Sequence, residues 1–324
     1  MLLNIFAVLA GFGLLIWGAD RFVAGASATA SNMGVSPLII GLTIVGFGTS
    51  APEMLVSGLA AWYGNPGISV GNAIGSNITN VGLVLGITAL VMPVSVHSDV
   101  LRREFPLLFL FMVLALWLIS DHYLSFADGI ILIAGMFAMI TWVVMIGLRS
   151  RKTDPLKTEY EDELAETPTM STGIATLWLI IGILVLLAGS RGVVWGASNI
   201  AVAMGISDLV IGLTIIAIGT SLPELAASVT CVLKGEHDIA VGNVVGSNMF
   251  NLLGVLGLPG LIHPFQIPAE ALSRDYGVMV ILTILLFAMS FGMKKNTGRI
   301  NRFEGGALLA VWCGYMGWIY VASV

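Results

Sequence analysis

Two glutamates stand where a carboxylate is costly. Glu53 ends the phrase GLTIVGFGTSAPE, which begins at Gly41, and Glu224 ends GLTIIAIGTSLPE, which begins at Gly212. Both phrases lie in stretches apolar enough to enter a membrane, where an isolated charge costs about 3 kcal/mol by insertion scales and marks function by default. Thr49 and Ser50 precede Glu53 by four and three residues, and Thr220 and Ser221 precede Glu224 in the same way. On a helix each trio shares one side. A second pair of phrases, VGNAIGSNITN from Val70 and VGNVVGSNMFN from Val241, sets Asn72, Ser76 and Asn80 at a spacing of four, and likewise Asn243, Ser247 and Asn251. Carboxylates, hydroxyls and amides supply oxygen only, with no His, Cys or Met among them. Such a set suits hard cations and disfavours metals that prefer thiolate or imidazole. It lacks a nucleophile–base pair or paired aspartates, so an intramembrane enzyme ranks low.

Ser76, Asn80, Ser247 and Asn251 read as ligands, with interhelical hydrogen bonding as the alternative. For Asn72, Asn77, Asn243 and Asn248 the order is reversed, and Asn77 and Asn248 are expected to brace broken helices. Gly71, Gly75, Gly242 and Gly246 should let helices pack closely. Gly46, Gly48 and Pro52 weaken the first phrase at its centre, and a proline removes a helical donor. Helical bonding is therefore expected to break near Gly48–Thr49 and again at the matching place before Pro223, freeing carbonyls toward a cavity.

The elements that must carry these groups follow from composition. Of 324 residues, 57% are hydrophobic and 10% charged, with a net charge of −5, and mean hydropathy is +0.97. Soluble domains carry about 25% charged residues, so an all-α membrane protein is expected, and the lipid bilayer is its first partner. Ten spans of roughly 20 apolar residues fall near residues 2–20, 37–62, 70–92, 104–120, 126–147, 174–199, 208–233, 240–262, 276–292 and 304–321. The first, with no basic residue ahead of it, reads as a span and not as a cleaved leader.

The paired phrases share an offset of 171 residues, with nine identities in thirteen positions for one pair and seven in eleven for the other. The same offset carries GASATASNMGVS onto GASNIAVAMGIS and Arg103-Glu104 onto Arg274-Asp275. Each copy holds five spans, an odd number, so the second must enter the membrane from the opposite side. Two inverted five-helix repeats result, 1–148 and 173–324, joined by a linker at 149–172. Secondary transporters recurrently use this arrangement, with the site near the midplane between repeats. A duplicated scaffold without transport would explain repeated glycines but not a repeated glutamate.

Alternation places Arg102, Arg103, Arg149, Arg151, Lys152, Lys157, Lys234, Lys294, Lys295, Arg299 and Arg302 on one side and only Arg274 in loops of the other. The positive-inside rule makes the first side cytoplasmic, with the linker there and both termini outside. Topology alone accounts for these charges. Asp20 and Arg191 are read as interfacial residues and not as a pair. His97, His122, His237 and His263 lie at span ends, and Cys231 and Cys313 read as small packing residues. Nothing resembles a nucleotide-binding loop or a nucleic-acid surface.

Folded together, the halves would bring two carboxylates, hydroxyls and amide oxygens to one place. Six to eight flexible oxygens fit Ca²⁺ better than Mg²⁺, and Na⁺ is close to Ca²⁺ in size. Two ionised glutamates are neutralised by one Ca²⁺ or by several Na⁺, and an empty site keeps buried charge that resists movement. Obligatory exchange follows. A passive channel would share the carboxylates without needing inverted halves.

The pair GTSAPE…GNAIGSNITN and GTSLPE…GNVVGSNMFN resembles the alpha-repeats of the sodium/calcium exchangers within the cation/calcium antiporter superfamily, prokaryotic type. The resemblance runs through nearly the whole chain. It implies transported Ca²⁺ and Na⁺, no other cofactor, and ligation by Glu53 and Glu224. Thr49, Ser50, Ser76 and Asn80 would assist from one half, Thr220, Ser221, Ser247 and Asn251 from the other, with backbone help at Gly46 and Ala217. It also implies that spans one and six slide as a pair across the remaining eight. Some relatives, potassium-dependent ones included, carry a carboxylate at the position of Asn251, and its absence argues against a K⁺ requirement. Proton-coupled relatives carry a different phrase around the glutamate, which favours Na⁺ over H⁺ coupling. The linker, with its acidic run Glu159–Glu166, is too short for a folded Ca²⁺ sensor.

Overall fold

In a computed structural model of the protein, residues 2–64, 66–150, 170–204, 217–290 and 297–323 are described. Among them the chain forms ten helical rods. These are α1 (Leu2–Met33), α2 (residues 37–62), α3 (residues 66–91), α4 (Ser98–Ile119), α5 (Phe126–Ser150), α6 (Thr172–Ala203), α7 (residues 217–233), α8 (residues 237–262), α9 (residues 271–290) and α10 (Arg302–Ser323). Seven of them, α1, α2, α3, α5, α6, α8 and α9, contain stretches long and apolar enough to cross a membrane, and α4 and α7 contain the shorter apolar stretches Glu104–Ile119 and Leu222–Leu233. The expected linker and the start of the seventh expected span, 208–216, fall largely or wholly outside the described residues.

The first helix is longer than its apolar run suggested. It continues past Asp20 and Arg21 to Met33, giving 32 residues, as many as α6. Both charges have local company. Asp20 meets Lys234 at 2.7 Å, and the Arg21 guanidinium lies 4.8 Å from the centre of the Trp178 ring. At 1.5 Å per residue each helix is about 48 Å long against about 30 Å of hydrocarbon, a mismatch that tilting absorbs.

Lipid supplies no hydrophobic drive between helices, so close van der Waals packing must hold them. In α1 and α6 glycine recurs every seven residues, at Gly11, Gly18 and Gly25 and at Gly182, Gly189 and Gly196. The two helices run antiparallel and touch along these rows. A Cβ on Gly11 would stand 2.8 Å from the carbonyl oxygen of Gly189, and one on Gly196 would stand 2.6 Å from that of Asn4. At five of these six glycines, all but Gly18, a Cβ would come closer than 3.0 Å to an atom of the facing helix, so the seam there has no room for a larger residue.

The interior of the molecule is α8, every residue of its apolar window buried, with α3 next. Two small ribbons tie loops together. β1 (Val94–His97) pairs antiparallel with β4 (Thr297–Ile300), and β2 (Tyr123–Leu124) with β3 (Phe265–Gln266).

The second helix is not broken where Pro52 suggested. An α-helix runs from Gly46 to Trp62 with Pro52 inside it, and the irregularity is a π-helical turn upstream at Gly41–Val45. The seventh helix is broken as expected, with Ser221 (φ −89°, ψ 4°) between Ala217–Thr220 and Leu222–Leu233. The two prolines differ in setting. Pro223 lies in the first turn of a new helix, where no amide donor is needed, whereas Pro52 is accommodated within a continuous one.

Candidate cation site

Four helices meet at the middle of the molecule, α2 and α3 from the first repeat and α7 and α8 from the second. Both α3 and α8 change to a π-helical turn beginning at the motif's last asparagine, Asn80–Leu85 in one and Asn251–Val255 in the other. Such turns widen the helix and frequently mark functional sites. The turn in α2 ends just before Gly46, whose carbonyl accepts from Ser247 Oγ at 3.4 Å.

The scaffold around the glutamates is built twice. Asn72 Nδ2 donates to the Glu53 carbonyl and to Ser57 Oγ, both at 2.9 Å. Asn243 Nδ2 donates to the Glu224 carbonyl at 3.3 Å and to Ser228 Oγ at 2.9 Å. Each asparagine thus fastens its glutamate-bearing helix to the neighbouring one. Across the halves, Thr49 Oγ1 donates to Asn243 Oδ1 at 3.1 Å and lies 3.3 Å from Ser247 Oγ. The Thr220 hydroxyl faces the Glu53 carboxylate and the Thr49 hydroxyl that of Glu224, and the two carboxylates are near enough to repel each other.

On these four helices six buried oxygens then remain without a hydrogen-bond partner among the described residues: Ser50 Oγ, Glu53 Oε2 and Asn80 Oδ1, and their counterparts Ser221 Oγ, Glu224 Oε2 and Asn251 Oδ1. Each counterpart lies 171 residues on. A neutral buried polar group without a partner costs about 1–3 kcal/mol, a charged one more. Among the described residues no Lys, Arg or His pairs with either glutamate. No cluster of three or more His, Cys, Asp and Glu occurs there either. The arrangement therefore gathers hydroxyl, amide and carboxyl oxygens from four helices, a donor set that a hard cation would satisfy.

Of the residues singled out from the sequence, Thr49, Ser50, Glu53, Ser76, Asn80, Thr220, Ser221, Glu224, Ser247 and Asn251 come from these four helices, and the Gly46 carbonyl reaches them through Ser247. Ala217 opens the described part of α7, and no contact of it is described. Ser76 is only loosely tied, 3.5 Å from Asn72 Oδ1.

Three expectations need correction. Among the described residues Asn77 and Asn248 bond not to the helices expected to break but to Asn251 and Asn80 of the opposite half. Gly242 and Gly246 do let α2 approach α8, whereas nothing described lies within 4 Å of a Cβ on Gly71 or Gly75. Lys234 has more than a topological role, since it holds Asp20 of α1, while Glu236 accepts from Ser27 of the same helix. Sequence reasoning also missed Ser57 and Ser228, although the offset of 171 marks them as a pair. It missed Ser190 Oγ, which donates at 2.5 Å to the Gly219 carbonyl beside the α7 break. That bond has no repeat signal, because Ala19 occupies the matching position.

The model of the family described as sodium/calcium exchanger protein matches residues 3–149 and 174–321. The chain belongs to that family. Its relatives include CaxA of Alkalimonas amylolytica, provisionally named an antiporter, which is 51% identical over 97% of this chain and 98% of its own. The inner membrane protein YrbG of Escherichia coli (strain K12) is 42% identical over 98% of each chain. Among solved structures, the sodium-calcium exchanger NCX_Mj soaked with Na⁺ and Ca²⁺ superimposes with a TM-score of 0.82 at 34% identity, covering 100% of this chain and 99% of that one. The gap in the family match, between 149 and 174, coincides with the stretch separating α5 from α6.

Proposed function

We propose that the protein is a secondary antiporter that exchanges Na⁺ for Ca²⁺ across the membrane by alternating access, working in the direction of Ca²⁺ efflux. The observation that carries this reading is the set of six partnerless buried oxygens, three from each repeat at one offset. Glu53 and Glu224 would supply the charge. Ser50, Ser221, Asn80 and Asn251 would complete the shell, with Thr49, Thr220, Ser76, Ser247 and the Gly46 and Ala217 carbonyls forming side positions for Na⁺. One Ca²⁺ or several Na⁺ would neutralise the pair of carboxylates. Emptied, the site would hold buried uncompensated charge, a state that resists crossing the barrier. Coupling follows from that penalty.

The glycine seam between α1 and α6 supports their moving together. The architecture proposed is two inverted repeats, 1–148 and 173–324, of five crossings each, with the linker 149–172 in the cytoplasm and both termini outside. The ribbons speak for ten crossings. Alternation puts the α3–α4 and α9–α10 loops on one side, where β1 meets β4, and the α4–α5 and α8–α9 loops on the other, where β2 meets β3. Likeness to YrbG suggests the inner membrane.

Ca²⁺ uptake into membrane vesicles loaded with Na⁺, with ions exchanged one at a time, tests the reading. Uptake that requires internal Na⁺ is expected. Uptake driven by a pH gradient instead would establish proton coupling, and flux without any counter-ion would establish a channel.

A further inference from the structure

The oxygens offered by Asn80 and Asn251 need a reason to point the right way. A primary amide is planar, with its carbonyl and its NH₂ on opposite edges, and a half-turn about the last side-chain bond exchanges them. Facing a cation, the carbonyl attracts and the NH₂ repels. In both helices the NH₂ is engaged elsewhere. Asn80 Nδ2 donates to Asn248 Oδ1 at 3.2 Å, and Asn251 Nδ2 donates to Asn77 Oδ1 at 3.3 Å. The oxygens left over, Asn80 Oδ1 and Asn251 Oδ1, are the ones buried without a partner. Asn77 is itself anchored, its Nδ2 directed at Met279 Sδ at 3.3 Å, so its carbonyl is the edge that faces Asn251. All four asparagines are at most 2% exposed. The bond occurs twice, once in each direction, between residues that lie three apart on α3 and on α8.

We infer that Asn77 and Asn248 are positioning residues for cation binding. They do not touch the ion. Each accepts a hydrogen bond from the ligand asparagine of the opposite repeat, and so holds that asparagine's carbonyl toward the site. The same bonds join α3 to α8 next to the cage, which makes each half supply the orientation of the other half's ligand. This inference rests on the cation-site reading above, and it is distinct from plain helix packing in one respect. A carboxylate presents oxygen on both edges and needs no orientation, so Asp at position 251 should make the Asn77 carbonyl dispensable.

The experiment measures Ca²⁺ uptake into Na⁺-loaded vesicles and, on purified protein in detergent, the rise in melting temperature with added Ca²⁺. It compares wild type, Asn77→Leu, Asn251→Asp and the double variant. Asn77→Leu is expected to raise KM for Ca²⁺ about tenfold, the size of one lost buried polar orientation, with Vmax within about twofold and a smaller melting shift. In the Asn251→Asp background the same change should move KM by less than about threefold, as expected when the coupled partner no longer needs it. An equal loss in both backgrounds assigns Asn77 to packing and overturns the inference, as does an unchanged KM in Asn77→Leu. If the leucine variant does not fold, Asn77→Ala and the mirrored Asn248→Ala are read by the same criterion, the latter against Asn80→Asp. Should wild type show no exchange at all, the antiport reading fails, and the Ca²⁺-dependent melting shifts decide this inference on their own.

Discussion

The helices α3 and α8 carry nearly the same words and live in different surroundings. Their asparagines do the same work, since Asn72 and Asn243 each fasten a glutamate-bearing helix and Asn80 and Asn251 each leave an oxygen free. Their glycines do not. In α8 a Cβ on Gly242 would sit 2.8 Å from the Leu38 carbonyl, and one on Gly246 would sit 2.6 Å from the Leu42 carbonyl. In α3, Gly71 is exposed and Gly75 half-buried, and no described atom comes within 4 Å of either. The window of α8 is 100% buried and that of α3 78%. The partnerless oxygens come in repeat-related pairs, whereas among the described residues only the α8 glycines are covered. On the orientation proposed above, the sealed end of α8 faces the cytoplasm and the start of α3, where Gly71 is exposed, faces outward. The sealed end is held further by the α7–α8 loop, where Lys234 and Glu236 grip Asp20 and Ser27 of α1.

The symmetric part of this comparison is the easiest to break. Glu53→Gln and Glu224→Gln should each lower Na⁺-driven Ca²⁺ uptake by at least about a hundredfold, since either removes half of the buried charge that a divalent ion neutralises. Both should still fold and purify as wild type. Normal transport by one of them would mean that only one half forms the site.

The asymmetric part is tested by stability. Gly246→Ala forces a methyl against the Leu42 backbone, which cannot yield, and should cost about 1–3 kcal/mol. Gly75→Ala meets no described atom and gains helix propensity of up to about 1 kcal/mol, so it should be neutral or slightly stabilising. Melting in detergent measures both, and equal costs would show that the two copies are packed alike.

The smallest effect sharpens the account of the sealed end. Burial raises the Glu236 carboxyl above its usual value of 4.5, the hydrogen bond from Ser27 opposes the shift, Asp238 adds to it and Lys234 subtracts. A carboxyl whose folded pKa is raised favours the native state while protonated, and that contribution is lost as pH rises through the folded value. Glu236→Gln, neutral at every pH, should therefore melt about 1–2 °C higher than wild type above neutrality and alike near pH 4. A variant that melts lower at high pH would show that charge on Glu236 helps hold α1.

Much of the candidate site was legible because membrane chemistry punishes polar residues. Glu53, Ser50 and Asn80 could be picked out because hydrocarbon tolerates such groups only where they do something, and the offset of 171 found their partners. The same offset would have disclosed Ser57 with Ser228 and the heptad glycines of α1 and α6. By contrast, the bond from Ser190 to Gly219 and the grip of Lys234 on Asp20 join residues that occur once each, so no periodicity or duplication announces them. Pro52 misled because a proline states only that one hydrogen bond is missing. Whether a helix breaks there, or absorbs the loss and relaxes a turn earlier at Gly41–Val45, depends on what packs against it.

The chain by itself determined that there is a membrane protein here, that it is duplicated, and which oxygens belong to the duplicated pair, because those facts reside in residue type and spacing. Only the tertiary structure decided that Asn77 faces Asn251 and Asn248 faces Asn80, that six oxygens between these four helices are left over, and that α2 closes over α8. Orientation of an amide and closure of a helix seam are set by neighbours distant in sequence, and two copies of one phrase can meet different neighbours.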